Sequence, residues 1–534
     1  MSQSSKKQTF LHGAALLAMA TAIVKIIGAF YKIPLKMIIG DQGYGYFVTA
    51  YDIYTVLLMI STAGLPIAMS RMISQATALG KYNQVRRVYA TARGIFLGLG
   101  VVSTVLMMGF SHQLAAFQKQ PDAWAAIFCL GPCALLMCIM STYRGFFQGQ
   151  GNMRPTSNSQ ILEAGFKLVV GLVLAYGVMK ATNSIAYAAG AAILGVTVSC
   201  LASAIYLNRQ QRPAWRELPV TDDAPQSFGK TAKQLLAIAV PITIGSAGLQ
   251  VLTVIETNLY MGQLLTANGM SQNTADITKG IYNMCQTVFN MPCSFMVPIC
   301  TSVLPAITAQ LATGSFDSAK ATEESAARIT GLLSLPCAVG LTILAQPVMG
   351  LLGGYTGENL ALAGKILAVL GINVFFYGVI QYTNVVLQSH GYAHIPVINT
   401  LLCGGMKLVV VYLLVGNPQI GIVGAPVGML LCYACIGIMN LIAIHRVVPQ
   451  KTRVLRNLLR PVLPAAVMGA GVWAVQSLLS VVPGIGGSRV ILCGVSVAVG
   501  VILYLICVVI FKAIRREDCL LLPKGEKIAK ILHL

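Results

Sequence analysis

Eight ionisable side chains stand inside the apolar stretches of this 534-residue chain. They are the carboxylates Asp52, Glu163 and Glu256 and the cations Lys25, Lys32, Lys36, Lys167 and Lys407. A charge in hydrocarbon is costly unless it is paired or hydrated, so charges kept at that depth mark the route of a polar cargo or an ion. Lys25, Lys32 and Lys36 are seven and four residues apart, which lines them along one stripe of a helix. Lysines facing water hold an anion by mobile point charge. Near a helix end the same side chain can instead reach the interface, the plainer reading for Lys36. Glu163 and Lys167 are four apart and can pair on one helix face. Asp52, beside Tyr51 and Tyr54, has Lys25 as a prospective partner. The binding residues expected for an anionic cargo are Lys25, Lys32, Asp52 and Lys167. Glu256, Lys407 and Glu163 are expected to pair charges or couple an ion.

No catalytic group or metal set is expected. The chain has no His-Glu-x-x-His, Ser-His-Asp grouping or phosphate-loop signature. His390 and His394 are four apart, but in a polar loop where a surface or headgroup role is expected. Cys432 and Cys435 lie inside an apolar helix with no second pair near them, and the 14 cysteines read as small packing residues. The chain is therefore expected to be no enzyme and to carry no cofactor.

The elements that position these charges follow from composition. The chain is 56% hydrophobic and 10% charged, with mean hydropathy +0.74. Soluble domains carry about a quarter charged residues, so this is an all-α integral membrane protein. Its net charge of +21 falls in short loops, which points to topology and anionic lipid headgroups rather than nucleic acid. Spans of about 20 apolar residues are expected near 11–39, 44–74, 88–112, 123–149, 155–180 and 184–207. Six more follow near 233–263, 279–311, 325–353, 360–388, 392–415 and 420–445, then two near 461–482 and 488–512. Basic residues concentrate after the even-numbered spans (Arg86, Arg212, Arg328, Arg456 among them). Cations after odd-numbered spans are few, Lys119 and Lys279 being examples. A multi-pass protein of the cell membrane with both termini cytoplasmic is expected.

A stretch of the chain occurs twice. Gln148–Leu174 aligns without a gap on Gln388–Leu414, with nine identities in 27 positions, Lys167 falling on Lys407 and Gly151 on Gly391. Gly64-Leu-Pro late in the second span is echoed by Val303-Leu-Pro late in the eighth. Each copy has six spans, an even number, so the repeat is parallel. The expected organisation is a first lobe over 1–207, a cytoplasmic linker over 208–232, a second lobe over 233–445, and two appended helices with a tail over 446–534. In the second copy Cys403 replaces Glu163, so Lys407 loses that partner, and Glu256 is the deep carboxylate expected to meet it.

Four stretches together resemble one family: Lys25-Ile-Ile-Gly-Ala-Phe-Tyr-Lys-Ile-Pro-Leu-Lys36, Gly40-Asp-Gln-Gly-Tyr-Gly-Tyr46, Gly64-Leu-Pro-Ile-Ala-Met-Ser-Arg71, and the Gln-Gly-x-Gly-x-x-x-Pro run from Gln148. The chain resembles the stage V sporulation protein B branch of the oligosaccharide flippases. That branch stands with MurJ-type lipid II flippases in the multidrug/oligosaccharidyl-lipid/polysaccharide exporter superfamily. The resemblance implies a two-lobe transporter moving undecaprenyl-pyrophosphate-linked saccharide from inner to outer leaflet, for example a peptidoglycan precursor for spore cortex. Membrane lipids and cell-wall synthesis proteins are the implied partners. Gram-negative MurJ proteins carry cavity arginines on helices 1, 2 and 8. Here Tyr31 stands at the family position on helix 1 with Lys32 beside it, and Tyr54–Met59 and Tyr282–Phe289 hold no cation. The resemblance also implies an ion site between helices 7, 10 and 11. Lys407 standing there would favour driving by protons or membrane potential over sodium. Two other readings are a cation antiporter of the multidrug type, which needs acidic cavities, and a non-transporting scaffold, which need not carry buried charges.

Overall fold

The computed structural model describes residues 3–62, 64–449, 452–481, 489–511, 513–515 and 518, and their secondary structure is helical. Two compact units divide the chain, Met1–Gly280 and Ile281–Leu534. The first contains α1 (Gln3–Thr62), α2 (Leu65–Ala78), α3 (Tyr82–Gly109), α4 (Ser111–Phe117) and α5 (Trp124–Gly149). It continues with α6 (Arg154–Thr182), α7 (Ile185–Arg216), α8 (Phe228–Thr266) and the start of α9 (Gln272–Ala312). The second holds the rest of α9, then α10 (Phe316–Ile343), α11 (Ala345–Leu352), α12 (Gly357–Ser389), α13 (His394–Val415) and α14 (Gly424–Val447). It ends with α15 (Val454–Leu459), α16 (Val462–Val481) and α17 (Arg489–Ile510). Among the described residues ten helical segments are long and apolar enough to cross a membrane.

Two places differ from the sequence reading for clear physical reasons. The first two expected spans meet in α1 without a loop. Gly40 alone breaks the helix (φ 70°, ψ −179°), a conformation open to glycine at little cost. The expected linker starts late, because α7 continues to Arg216. Trp215 in those extra turns packs on Tyr89 and Phe146, with ring centroids 4.8 and 5.9 Å away. Residues 482–488, between the last two expected spans, lie outside the described residues, as does the tail beyond 518.

The rest of the linker is docked. The N-terminus of α3 has no capping side chain of its own. Asp223 supplies one from 140 residues away, its two carboxylate oxygens accepting the Asn83 and Gln84 amides at 3.0 Å each. Arg86 donates to the Leu218 carbonyl at 3.0 Å, and Gln84 accepts the Gln226 amide at 2.7 Å. Loss of hydration raises the Asp223 carboxyl, but bonds from the Thr221 hydroxyl and those two amides together outweigh it and hold the group below the usual carboxylate range.

The repeated stretch takes the same local form in both copies. Helices α5 and α12 end at Gly149 and Ser389, and α6 and α13 start at Arg154 and His394. The turns between them use left-handed glycines at the same register, Gly151 (φ 77°) and Gly391 (φ 86°). Gly151 donates to the Gln148 carbonyl at 3.0 Å, and Gly391 to that of Gln388 at 3.1 Å. Along the following helices Val169 and Val173 are 61% and 64% exposed, and their counterparts Val409 and Leu413 are 59% and 64% exposed. Ala175 and Val415 are fully buried on the opposite side. Each copy thus turns one apolar face outward, as a helix facing lipid does. In the first unit α6 can approach α7 closely because both carry glycine. A Cβ on Gly195 would stand 2.3 Å from the Gly171 Cα.

Candidate functional site

Helices α1, α5 and α6 wall a charged pocket inside the first unit. It has a volume of about 330 Å³, walled by Val24, Ile27, Gly28 and Ala164, with Tyr31, Arg144, Gln160, Glu163 and Lys167 supplying polar groups. Arg144, on α5, pairs with Glu163 at 3.0 Å and donates through Nε to the Ser159 hydroxyl at 3.1 Å. Lys167 donates to the Tyr51 hydroxyl at 2.7 Å, with its ammonium 4.6 Å from the Tyr51 ring centroid and 5.2 Å from that of Tyr31. Tyr31 is held by donating to the Ala192 carbonyl at 3.3 Å. The expected Glu163–Lys167 pair is therefore replaced: Arg144 takes the carboxylate, and aromatic rings and a hydroxyl hold the lysine. Two cations face one carboxylate in a half-buried, apolar-walled space, and Gln160 Oε1 is buried there with no hydrogen-bond partner among the described residues. Such an arrangement can accept a further anion.

A second cluster was invisible in the sequence. Lys279, read as a loop cation, is fully buried at the start of α9. Its ammonium donates to the Thr49 hydroxyl and, at 2.8 Å, to Gln120 Oε1. Gln120, also fully buried, passes the connection on through Nε2 to Asp276 at 2.9 Å. Asp276 accepts in addition from Gln272 at 3.0 Å and from the Tyr46 hydroxyl at 3.1 Å. Gln42 donates to Tyr46 at 2.8 Å. The opposite charges of Lys279 and Asp276, bridged by one amide, tie α1, the segment before α5 and α9 into one dry network. Close packing requires a glycine beside it, since a Cβ on Gly280 would meet the Asp41 carbonyl at 2.0 Å.

The other expected residues are placed as follows. The side chain of Lys25 lies outside the described residues. Lys32 is half-buried on α1. Asp52 is hydrogen-bonded by Thr257, and Lys279, Lys32 and Glu256 are its charged neighbours. Glu256 is buried on α8 in the first unit, and Lys407 is half-buried on α13 in the second. Lys167 and Lys407 each come 13 residues after the first residue of their helix. Lys36 does not extend into solvent. It is 8% exposed and pairs with Asp41 at 3.4 Å, which a lysine one turn from a kink can do. His390 is not a surface group either, because its Nε2 meets the fully buried Glu323 at 2.8 Å. Cys403 and Cys432 pack with Ile380 and Ile436 in an apolar cluster.

In the second unit a further buried ion pair joins α10 to the residues after α17. Arg328, read as a loop cation, is 1% exposed and grips Asp518, itself fully buried, through Nε and Nη2 at 2.8–3.0 Å. Ser325 and Asn457 accept two more of its hydrogens at 2.8 and 3.4 Å.

Comparison with known proteins locates this architecture. The family described as polysaccharide biosynthesis protein matches residues 10–310, and that described as MatE matches residues 265–413. The uncharacterized membrane protein YabM of Bacillus subtilis (strain 168) is 27% identical over 99% of this chain and 97% of its own. Stage V sporulation protein B of that organism is 23% identical, covering 97% and 98%. Its lipid II flippase MurJ is 24% identical, covering 88% and 89%. A solved structure of lipid II flippase MurJ, in an inward closed conformation, is similar with a TM-score of 0.69 at 13% identity, over 93% of this chain and 98% of that one. The last similarity establishes the fold.

Proposed function

The chain belongs to the polysaccharide biosynthesis protein family, in the lipid II flippase-like branch of its exporter superfamily, and from that premise we propose that it is a flippase. Its cargo would be a polyprenyl-pyrophosphate-linked saccharide of the lipid II type, carried from the inner to the outer leaflet by alternating access. The observation that carries this reading is the pocket where Arg144 and Lys167 face the single carboxylate of Glu163. A pyrophosphate cannot cross hydrocarbon unpaired. Lys167 is held by neutral rings and a hydroxyl, so its charge is free to meet that anion. Lys32 on α1 extends the positive path, Lys25 is a further binding residue on the sequence reading, and Asp52 tunes the site.

In this reading fourteen spans leave both termini cytoplasmic, with lobes over 1–207 and 233–445, the linker over 208–232, and the appended helices and tail over 446–534. The Lys279–Gln120–Asp276 network acts as the closed outer seal, since it locks segments that expected topology puts on the outer side. Glu256 and Lys407 serve driving by protons or membrane potential. The spore cortex is one destination for the cargo, with wall-synthesis proteins as partners. A second reading, cation antiport, is favoured by the MatE match and the acidic neighbours Asp52 and Glu256. Complementation of a conditional lipid II flippase depletion separates the two. A flippase restores lipid II on the outer leaflet, while an antiporter restores drug efflux and leaves lipid II inside.

A further inference from the structure

Among the described residues, arginines outnumber carboxylates where α15 meets the residues after α17. Arg460 lies among Arg328, Arg456 and Arg515 with one carboxylate, Asp518, in their midst. That carboxylate is committed to Arg328 by a two-nitrogen grip. Beside this cluster opens a cleft of about 580 Å³ between α14 and α15. Its charged rim is His445, Arg453 and Arg456, all exposed, and none of the three has an ion pair among the described residues. Glu324 accepts the Arg453 backbone amide at 3.4 Å. The floor of the cleft is apolar, formed by Ile444, Val448 and Val454, which are 4%, 5% and 7% exposed.

Helix α15 divides its side chains accordingly. Val454, Asn457 and Leu458 are buried, while Leu455 (59% exposed) and Leu459 (42%) project beside Arg456. Exposed leucines interleaved with arginines at the end of a membrane helix are the pattern of an element lying in the headgroup layer. A free phosphate would use the arginines and leave the apolar floor wet. A phospholipid uses both, because its headgroup carries the anion and its chain covers the floor. We propose that this cleft is a binding site for one anionic phospholipid, its phosphate between Arg453 and Arg456 and an acyl chain on Ile444, Val448 and Leu455. The site is separate from the pocket assigned to cargo and does not depend on which cargo is carried.

The test uses the purified full chain in nanodiscs or detergent, with phosphatidylglycerol as the probe, read by lipid retention in native mass spectrometry and by thermal shift. The wild type should retain phosphatidylglycerol in preference to phosphatidylcholine and gain thermal stability from it. Arg453→Gln/Arg456→Gln should weaken retention about thirty-fold, the effect of two cations at an anionic surface. Leu455→Asn should weaken it without altering charge. Both changes are at exposed positions, and an unchanged melting midpoint in phosphatidylcholine alone confirms that the variants fold. Equal retention by wild type and the double arginine variant would overturn the proposal, as would equal retention of phosphatidylcholine. The same stabilisation from millimolar inorganic phosphate would overturn it in favour of a soluble anion.

Discussion

Replacing Asp518 with asparagine should destabilise the second unit far more than a change near the chain's end ordinarily would. The Arg328 side chain is 1% exposed and that of Asp518 fully buried, with nitrogen–oxygen distances down to 2.8 Å. Asparagine keeps the shape but removes the charge, leaving a guanidinium in a dry site beside Arg460. Breaking one side of such a pair costs about 3–5 kcal/mol. Ser325 and Asn457 go on accepting two of its hydrogens, which favours the lower half of that range. For a unit of this size about 3 kcal/mol corresponds to a drop of roughly 6–12 °C in thermal midpoint. The assay is unfolding of the full chain in one detergent at one scan rate. Arg328→Met/Asp518→Leu should recover most of the loss, since apolar replacement of a whole buried pair is often neutral. An unchanged midpoint for Asp518→Asn, or a double variant worse than the single one, would refute the argument.

Gln120→Leu removes the amide that joins Lys279 to Asp276, leaving a buried ammonium and a buried carboxylate each one partner short. We expect a loss of about 1–3 kcal/mol, read as a lower thermal midpoint, and greater labelling of residues near Thr49 from the outer side; unchanged values for both would remove the seal. Asp223 titrates below the ordinary carboxylate range in the folded chain, so its contribution is complete at neutral pH and disappears as pH falls through that lowered value. Asp223→Asn should therefore lower the midpoint at pH 7, and the difference from wild type should shrink as pH is taken below about 4. A difference that grows on acidification would contradict the sign.

The helices were legible in the sequence because membrane spans need long apolar runs, and α5, α6, α12 and α13 start or end within a few residues of the expected positions. The repeat was legible for a related reason: the register of Gly151/Gly391 and Lys167/Lys407 is a local pattern, preserved in turn geometry and exposed faces. Pairings were not. Spacing along one helix proposes Glu163–Lys167, but Arg144, 19 residues earlier and on another helix, has the better reach and five hydrogens to offer. Lys279 and Arg328 looked like loop cations because polar residues surround them in sequence. Their burial depends on partners 159 and 190 residues away, Gln120 and Asp518, which no local pattern announces. His390 misled in the same way, its partner Glu323 lying 67 residues earlier.

The most direct test of a cationic pocket that carries a pyrophosphate is the appearance of lipid II on the outer leaflet in cells depleted of their own flippase. Wild type, Lys167→Ala and Lys167→Arg would be compared by leaflet-specific labelling at matched membrane levels. Wild type should restore outer-leaflet lipid II, Lys167→Ala should lose that ability while staying inserted, and Lys167→Arg should keep part of it because the charge is kept. Lipid II reaching the outer leaflet at the wild-type rate with Lys167→Ala would contradict the account.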